Sequence, residues 1–415
     1  MTTYFRSLSK SVFYAKSVTD YSSSDSFTAV LVDEKRKQVY LSAGDHIDVF
    51  SATSNQFVAQ LQPASQGSQK QFTGLALTPD GSLLLVADLL DGSLAVINPD
   101  APLNTFAIPI TPATGVGTSC ANGPLYVAAT SANQAFVTTG GLPASACPSS
   151  GSTYIANLQT HAVSRPPGIG GGGFSVDASG DGNFVAIGGC FCTYSVQNSS
   201  YNRAAFPLDL ADGLGIAISS DANVIGSNQV LGDVSANLLG SLARPIPLYG
   251  NAAYFTPSQN PLLRPRLNAS GSLYYFAYLN SFEIIDVPHA SLRMRFALTE
   301  TIQNTASPLA IDSGGRYVYL LTDKGLTVVD LGAAPLSIGH LSPQAASPGT
   351  LIGVRGSGFD SGTTATVGGV AATVSLTDEN TLTLTLPSVA SGPEDVVLTR
   401  SDGETYTLEN GVVLP

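Results

Sequence analysis

Tryptophan is absent from the 415-residue chain, and charged residues make up only 12% of it. Long surface helices are built on Lys and Glu, so this scarcity argues against helical domains. Basic charge is the scarcer kind: 18 Lys and Arg stand against 30 Asp and Glu, a net charge of −12. Such a surface repels polyanions, which excludes backbone-driven binding of nucleic acid or of an anionic membrane. Long apolar runs are also missing. The longest, LLLVADLL, is interrupted by Asp88 and is too short to span a bilayer, so no membrane insertion is expected. The opening MTTYFRSLSKSVFYAKS lacks the continuous apolar core of a secretory signal.

What is abundant is turn chemistry, with 42 Gly and 25 Pro. The stretch GLALTPDGSLLLVADLLDGSLAVIN, from Gly74 to Asn98, reads as strand, Asp80-Gly81 turn, strand, turn, strand. The same grammar recurs with hairpin turns at Lys35-Arg36, Ala132-Asn133, Asp181-Gly182, Asp221-Ala222, Ser270-Gly271 and Gly314-Gly315. These seven copies follow at intervals of 40 to 52 residues, the period of a four-stranded propeller blade. The seventh copy breaks into GAAPLS without a fourth strand. The segment Ser11 to Val18 has strand composition and is expected to supply that outer strand, joining the last blade to the first. The fold class expected is therefore all-β: a seven-bladed β-propeller over residues 1–335, followed by an immunoglobulin-like β-sandwich over 336–415.

The blade phrases TPDG, LLVAD and GSLAVIN resemble the YVTN-type and lactonase-like seven-bladed propellers of bacteria. After Pro335 the text SPGTLIGVRGSGF, then ATVGGVAATV, NTLTLTLP and GPEDVVLTRSDG, resembles an IPT/TIG domain. Pro348-Gly349-Thr350, Gly356, Gly358, Phe359, Gly368-Gly369 and Ala372 fill the family's motif positions. The residues carry the same conclusion unaided, since Thr381, Thr383 and Thr385 alternate with Leu382, Leu384 and Leu386 and so bury one face of a strand. IPT/TIG domains occur in receptors, in bacterial extracellular proteins and beside some DNA-binding regions. Here two Arg against eight Asp and Glu after Pro335 argue against DNA contact.

The loops approaching each innermost strand and the loops joining second to third strands should open on one face. Cys120, Cys147, Cys190 and Cys192 all fall in such loops. A Cys120–Cys147 disulfide would pin the long loop between them and contribute roughly 3 kcal/mol. Cys190 and Cys192 are left to bridge each other or to cross-pair, and a four-thiolate zinc site lacks the two CxxC knuckles it would need. Paired thiols and a Ser/Thr/Gly-rich composition fit an exported protein, placed outside or on the surface of a bacterium.

Among His46, His161, His289 and His340, only His46, beside Asp45, falls on the face propeller enzymes use. Asp88, Asp91, Asp233 and Asp323 occupy corresponding loops and could ring the channel mouth, where a divalent cation such as calcium would sit, although turn formation alone accounts for Asp at these places. The Asp177–Asp181 stretch mimics the start of a calcium loop but lacks the closing Glu and falls in register with the hairpin turns. Gly168 to Phe174 is Gly-rich, but no helix follows it to complete a phosphate site.

With no catalytic constellation visible, the expected function is a non-catalytic extracellular binding or adhesion module, or a part of a surface assembly, using the loop face as a platform for a protein or glycan ligand. The lactonase resemblance implies the alternative, a lactone or ester hydrolase at the channel mouth.

Overall fold

The computed structural model describes residues 17–22, 25–67, 69–111, 121–142, 151–166, 175–188, 192–203, 215–227, 231–232, 265–278, 280–289 and 291–415. Every regular element among them is a strand. Seven separate antiparallel sheets follow one another along the chain, and an eighth, larger sheet ends it. The first blade runs outward through Phe27–Asp33, Gln38–Ala43, His46–Ser51 and Gln56–Leu61, the second through Phe72–Leu77, Leu84–Asp88, Ser93–Ile97 and Thr105–Pro109. The third, fourth and sixth blades repeat this order. In the fifth, three strands are described. All seven turns expected between first and second strands are found there.

Three of those turns share one hydrogen-bond pattern that explains the repeat at the level of residues. The hydroxyls of Thr78, Ser179 and Ser219 each donate to the Asp two positions on, Asp80, Asp181 and Asp221, at 2.6 to 2.7 Å. Those carboxylates then accept the backbone N–H two residues further, from Ser82, Asn183 and Asn223. This Asx geometry nucleates the reversal locally. Gly81 and Gly182 supply the positive φ it needs, at 69° each, while Ala222 is held at 60° despite its Cβ. Thus Asp181 belongs to a hairpin turn and not to a calcium loop.

The core lies between blades rather than within one. Leu84 and Val86 pack with Tyr40, Ile47 and Val49 of the first blade, whereas Leu85, Leu94 and Val96 of the same sheet pack with Val127, Val137 and Ala156 of the third. A sheet buried on both faces needs no polar alternation, which accounts for the unbroken apolar spelling of the second blade. Leu84 and Leu85 are both fully buried, each contributing about 1.5 to 3 kcal/mol.

The seventh blade, Leu309–Ile311, Tyr317–Thr322 and Gly325–Asp330, takes its outer strand from Ser17–Tyr21, paired antiparallel with Gly325–Asp330. The closing strand thus lies C-terminal to most of the expected Ser11 to Val18 segment, of which residues 11–16 are outside the described residues. Tyr21 meets Phe50 of the first blade, ring centroids 4.6 Å apart. On the inner side, Val30 N–H donates to Ser307 O and Ser307 N–H to Thr28 O, joining the first blade to the last.

The C-terminal sheet has the strand order Ser337–Ser342, Leu351–Ser357, Thr381–Thr385, Val370–Asp378, Thr364–Val367, Gly392–Thr399, Thr405–Leu414. Val370–Asp378 passes from one half to the other, and a parallel bridge between Ala345 and Val413 brings the two ends together, giving a nearly closed sandwich. Leu382 and Leu384 are buried and the intervening Thr are not, as alternation requires.

This sandwich sits on the turn side of the propeller. Ser272 of the sixth blade bonds Ser337, which bonds Ser357, a buried hydroxyl chain across the junction. Asn223 and Asp221 of the fifth-blade turn meet His340, and Arg293 pairs with Glu404 at 2.6 Å. Among the described residues, the loops at Asp45, Asp91 and Asp323 lie at the opposite ends of their strands.

Candidate functional site

On that opposite face, the loop joining the second and third strands of the first blade carries Asp45, and the third strand begins at His46. Alternation along the strand puts Asp48 on the same side as His46. The loop approaching the innermost strand delivers Asp25, and the outer strand delivers Gln60. His46 Nδ1 lies 2.9 Å from Asp45 Oδ1, while Nε2 lies 3.3 Å from Asp48 Oδ1, 3.5 Å from Asp25 Oδ2 and 3.2 Å from Gln60 Nε2. Asp25, His46 and Asp48 form the group of three metal-capable side chains found among the described residues.

The electrostatics follow from this crowding. Partial burial disfavours a charged His46 ring, but the Asp45 hydrogen bond and the charges of Asp48 and Asp25 outweigh it and lift its pKa above the ordinary imidazole value. Burial pushes Asp48 up, against the opposing effects of Gln60 and His46. The His46 hydrogen bond holds Asp45 below the usual carboxylate range. Chemically the cluster can retain a proton on the imidazole near neutrality or, with that proton gone, offer one nitrogen and two carboxylates to a cation. That mixed donor set suits a zinc-like ion better than calcium, which takes six to eight oxygens.

The other expected acids do not converge. Asp88 is buried, and its carboxylate accepts the backbone N–H groups of Gln71 and Asp91 and the Ser65 hydroxyl. Burial holds its pKa up. Asp91 accepts from Gln66 N–H and Ser93 Oγ. Asp323, on the seventh blade, accepts Thr301 N–H at 2.9 Å. In each case an Asp from the middle loop clamps the approach loop of its own blade. In the first blade the corresponding clamp is made by side chains, His46 to Asp25, and that difference makes it the candidate site. Asp233 lies outside the described residues.

Cys120, Cys147 and Cys190 also lie outside the described residues, as does Gly168 to Phe174. Cys192, buried at the start of a third strand, is disulfide-bonded. His161 stacks on Phe106 at a turn, His289 of the sixth blade faces Tyr406 of the sandwich, and His340 of the sandwich faces the fifth-blade turn. Sequence reasoning found Asp45 and His46 but missed Asp25, Asp48 and Gln60. The spacing His46-x-Asp48 was the available signal; Asp25 and Gln60 arrive only through the fold.

Residues 336–413 match the IPT/TIG domain family. No curated protein matches the chain. The sandwich therefore has a family, whereas the seven-bladed ring is an architecture shared by many functions and does not by itself place the blades in the YVTN group. A propeller joined to an IPT/TIG domain points to a role of the binding or adhesion type.

Proposed function

We propose that the chain is an exported, non-catalytic binding module that presents its loop face to a protein or glycan, with Asp25, Asp45, His46 and Asp48 at the centre of contact. The observation that carries this reading is the placement of the IPT/TIG sandwich against the turn side, at the opposite end of the first blade from Asp25, Asp45 and His46. Clustered carboxylates are acceptors for sugar hydroxyls and for Lys or Arg of a protein, and the net charge of −12 draws cationic partners to them. The disulfide at Cys192 supports an oxidising location, outside or on the surface of a bacterium.

The test is a screen of the purified chain against glycan and matrix-protein arrays, repeated with a D25N/D48N variant. Binding that the variant loses supports the reading. Saturable binding that survives it, or turnover of a lactone or ester that Asp45 or His46 substitutions abolish, overturns it. The hydrolase alternative draws its support from the raised His46 pKa beside three carboxylates, an arrangement suited to proton transfer.

A further inference from the structure

Between the two domains lies a cavity of about 190 Å³ lined by Ser220 and Asp221 from the fifth-blade turn, Ala269 and Ser270 from the sixth-blade turn, and Arg355 and Asn380 from the sandwich. Its propeller wall is rigid, because the turns are tied to each other: Gly180 N–H donates to Ser220 O, Asp221 N–H to Ala269 O, and Ala269 N–H to Ser313 O. Its sandwich wall is fixed by Gly356 N–H donating to Asn380 O and by Arg355 Nη1 donating to Thr381 Oγ1 at 2.7 Å.

Two of the lining residues carry buried acceptor atoms without a hydrogen-bond partner, Asp221 Oδ2 and Asn380 Oδ1. Leaving such atoms unsatisfied is costly, and a carboxylate oxygen more so than an amide oxygen. Asp221 spends its other oxygen on the turn, accepting from Ser219 Oγ and Asn223 N–H. The cationic group nearest Oδ2 is His340 Nδ1, at 3.5 Å. Burial lowers the His340 pKa against the pull of Asp221, and Arg355 lowers it further, which weakens the ring as a partner for that carboxylate. Arg355 lines the same cavity yet forms no ion pair among the described residues. An idle carboxylate oxygen on the propeller wall thus shares one small space with a sandwich wall that carries an idle amide oxygen and a guanidinium with spare donors.

We propose that this inter-domain cavity binds a small zwitterion of the free α-amino acid class, its ammonium donating to Asp221 Oδ2 and Asn380 Oδ1 and its carboxylate accepting from Arg355. The complement of charges selects the class. A simple anion meets Asp221, a simple cation meets Arg355, and a metal ion finds only one carboxylate; an amino acid satisfies both walls at once. Several waters at ~30 Å³ each would fill the same volume but neutralise neither charge. A bound zwitterion would also bridge the two domains and so stabilise their docking. This site is independent of the loop face and does not rest on the function proposed for it.

The experiment uses the full chain at neutral pH, with glycine and L-serine as probes and acetate, ethanolamine and glucose as controls, read by saturation-transfer NMR and by thermal unfolding. The expected result is saturable binding of glycine or serine that raises the unfolding temperature, with each control weaker by about tenfold or more. D221N keeps the turn-forming oxygen, and R355M alters an exposed side chain; each is expected to weaken serine binding by about tenfold or more while far-UV circular dichroism stays unchanged. An H46A variant should bind serine as the natural chain does. Absence of saturable binding by either amino acid, equal binding in D221N and R355M, or glucose binding as tightly as serine would each overturn the proposal, the cavity then holding water alone.

Discussion

The Tyr406 hydroxyl of the sandwich donates a 3.0 Å hydrogen bond to Asp286 Oδ1, where the third strand of the sixth blade ends. His289 Nδ1 approaches the same oxygen at 3.0 Å, and the Arg293 guanidinium lies over the Tyr406 ring with Cζ 5.4 Å from its centre. Tyr406→Phe removes one donor from a buried carboxylate and leaves the ring packing intact. The expected cost is about 1 to 3 kcal/mol in urea unfolding. No change in the unfolding midpoint would show that this contact does not hold the domains together.

Closure by Ser17–Tyr21 is tested by a truncation that starts the chain at Ser22. The uncovered Gly325–Asp330 strand then presents a free edge, and Tyr21 no longer covers Phe50. The melting temperature should fall by roughly 5 to 10 °C. Edge pairing between molecules should appear as dimers in size-exclusion chromatography.

Asp312, in the seventh-blade turn, has its pKa pushed up to about 6 by burial, with Glu34 and Glu379 adding to the rise. A raised acid makes the folded state hold its proton more tightly than the unfolded chain does. Its contribution to stability is therefore full below the ordinary carboxyl value of 3.8 and is lost as pH rises through about 6. Asp312→Asn keeps an oxygen for the Tyr317 N–H. Relative to the natural chain it should be more stable by on the order of 2 kcal/mol at pH 7 and no more stable near pH 4, as measured by denaturant titration across that range.

His46 titrates in the same sense for the opposite chemical reason, since its charged form is the one the site favours. The stability it supplies is present below its ordinary value of 6.5 and disappears as pH rises through the higher folded value. His46→Gln should therefore be less stable than the natural chain at pH 5.5 and indistinguishable from it at pH 9. NMR titration of the imidazole checks the direction of the shift directly.

Gly123 shows how tightly neighbouring blades approach: a Cβ there would fall 2.0 Å from the Leu89 carbonyl oxygen of the second blade. That contact is with backbone and has no flexible end to move. Gly123→Ala should cost roughly 2 to 3 kcal/mol in thermal or urea unfolding.

The ring was legible in the sequence because each blade announces itself locally. Asp80, Asp181 and Asp221 bend their turns with hydroxyls two residues away, so the signal lies within a few residues of text. The alternation of Leu382 and Leu384 with Thr was legible for the same reason. The closing strand was placed too early because its composition is not apolar; Ser17–Tyr21 is fixed by pairing with Gly325–Asp330, a contact some three hundred residues distant in the chain. Asp88, Asp91 and Asp323 read as a ring of acids, yet each is occupied by backbone N–H groups of its own blade, which a count of carboxylates does not reveal. Asp25 and Gln60 join His46 only through the fold, and so does His340 with Asp221.

The central claim is that a partner docks on the loop face around His46 while the IPT/TIG sandwich holds the turn side. Hydrogen exchange of the full chain, with and without a partner captured on the arrays, tests this most directly. Protection concentrated at Asp25, Asp45–Asp48 and Asp88–Asp91 is the predicted result. Protection confined to the sandwich strands Leu351–Ser357 and Thr381–Thr385, with the loop face unchanged, would contradict it.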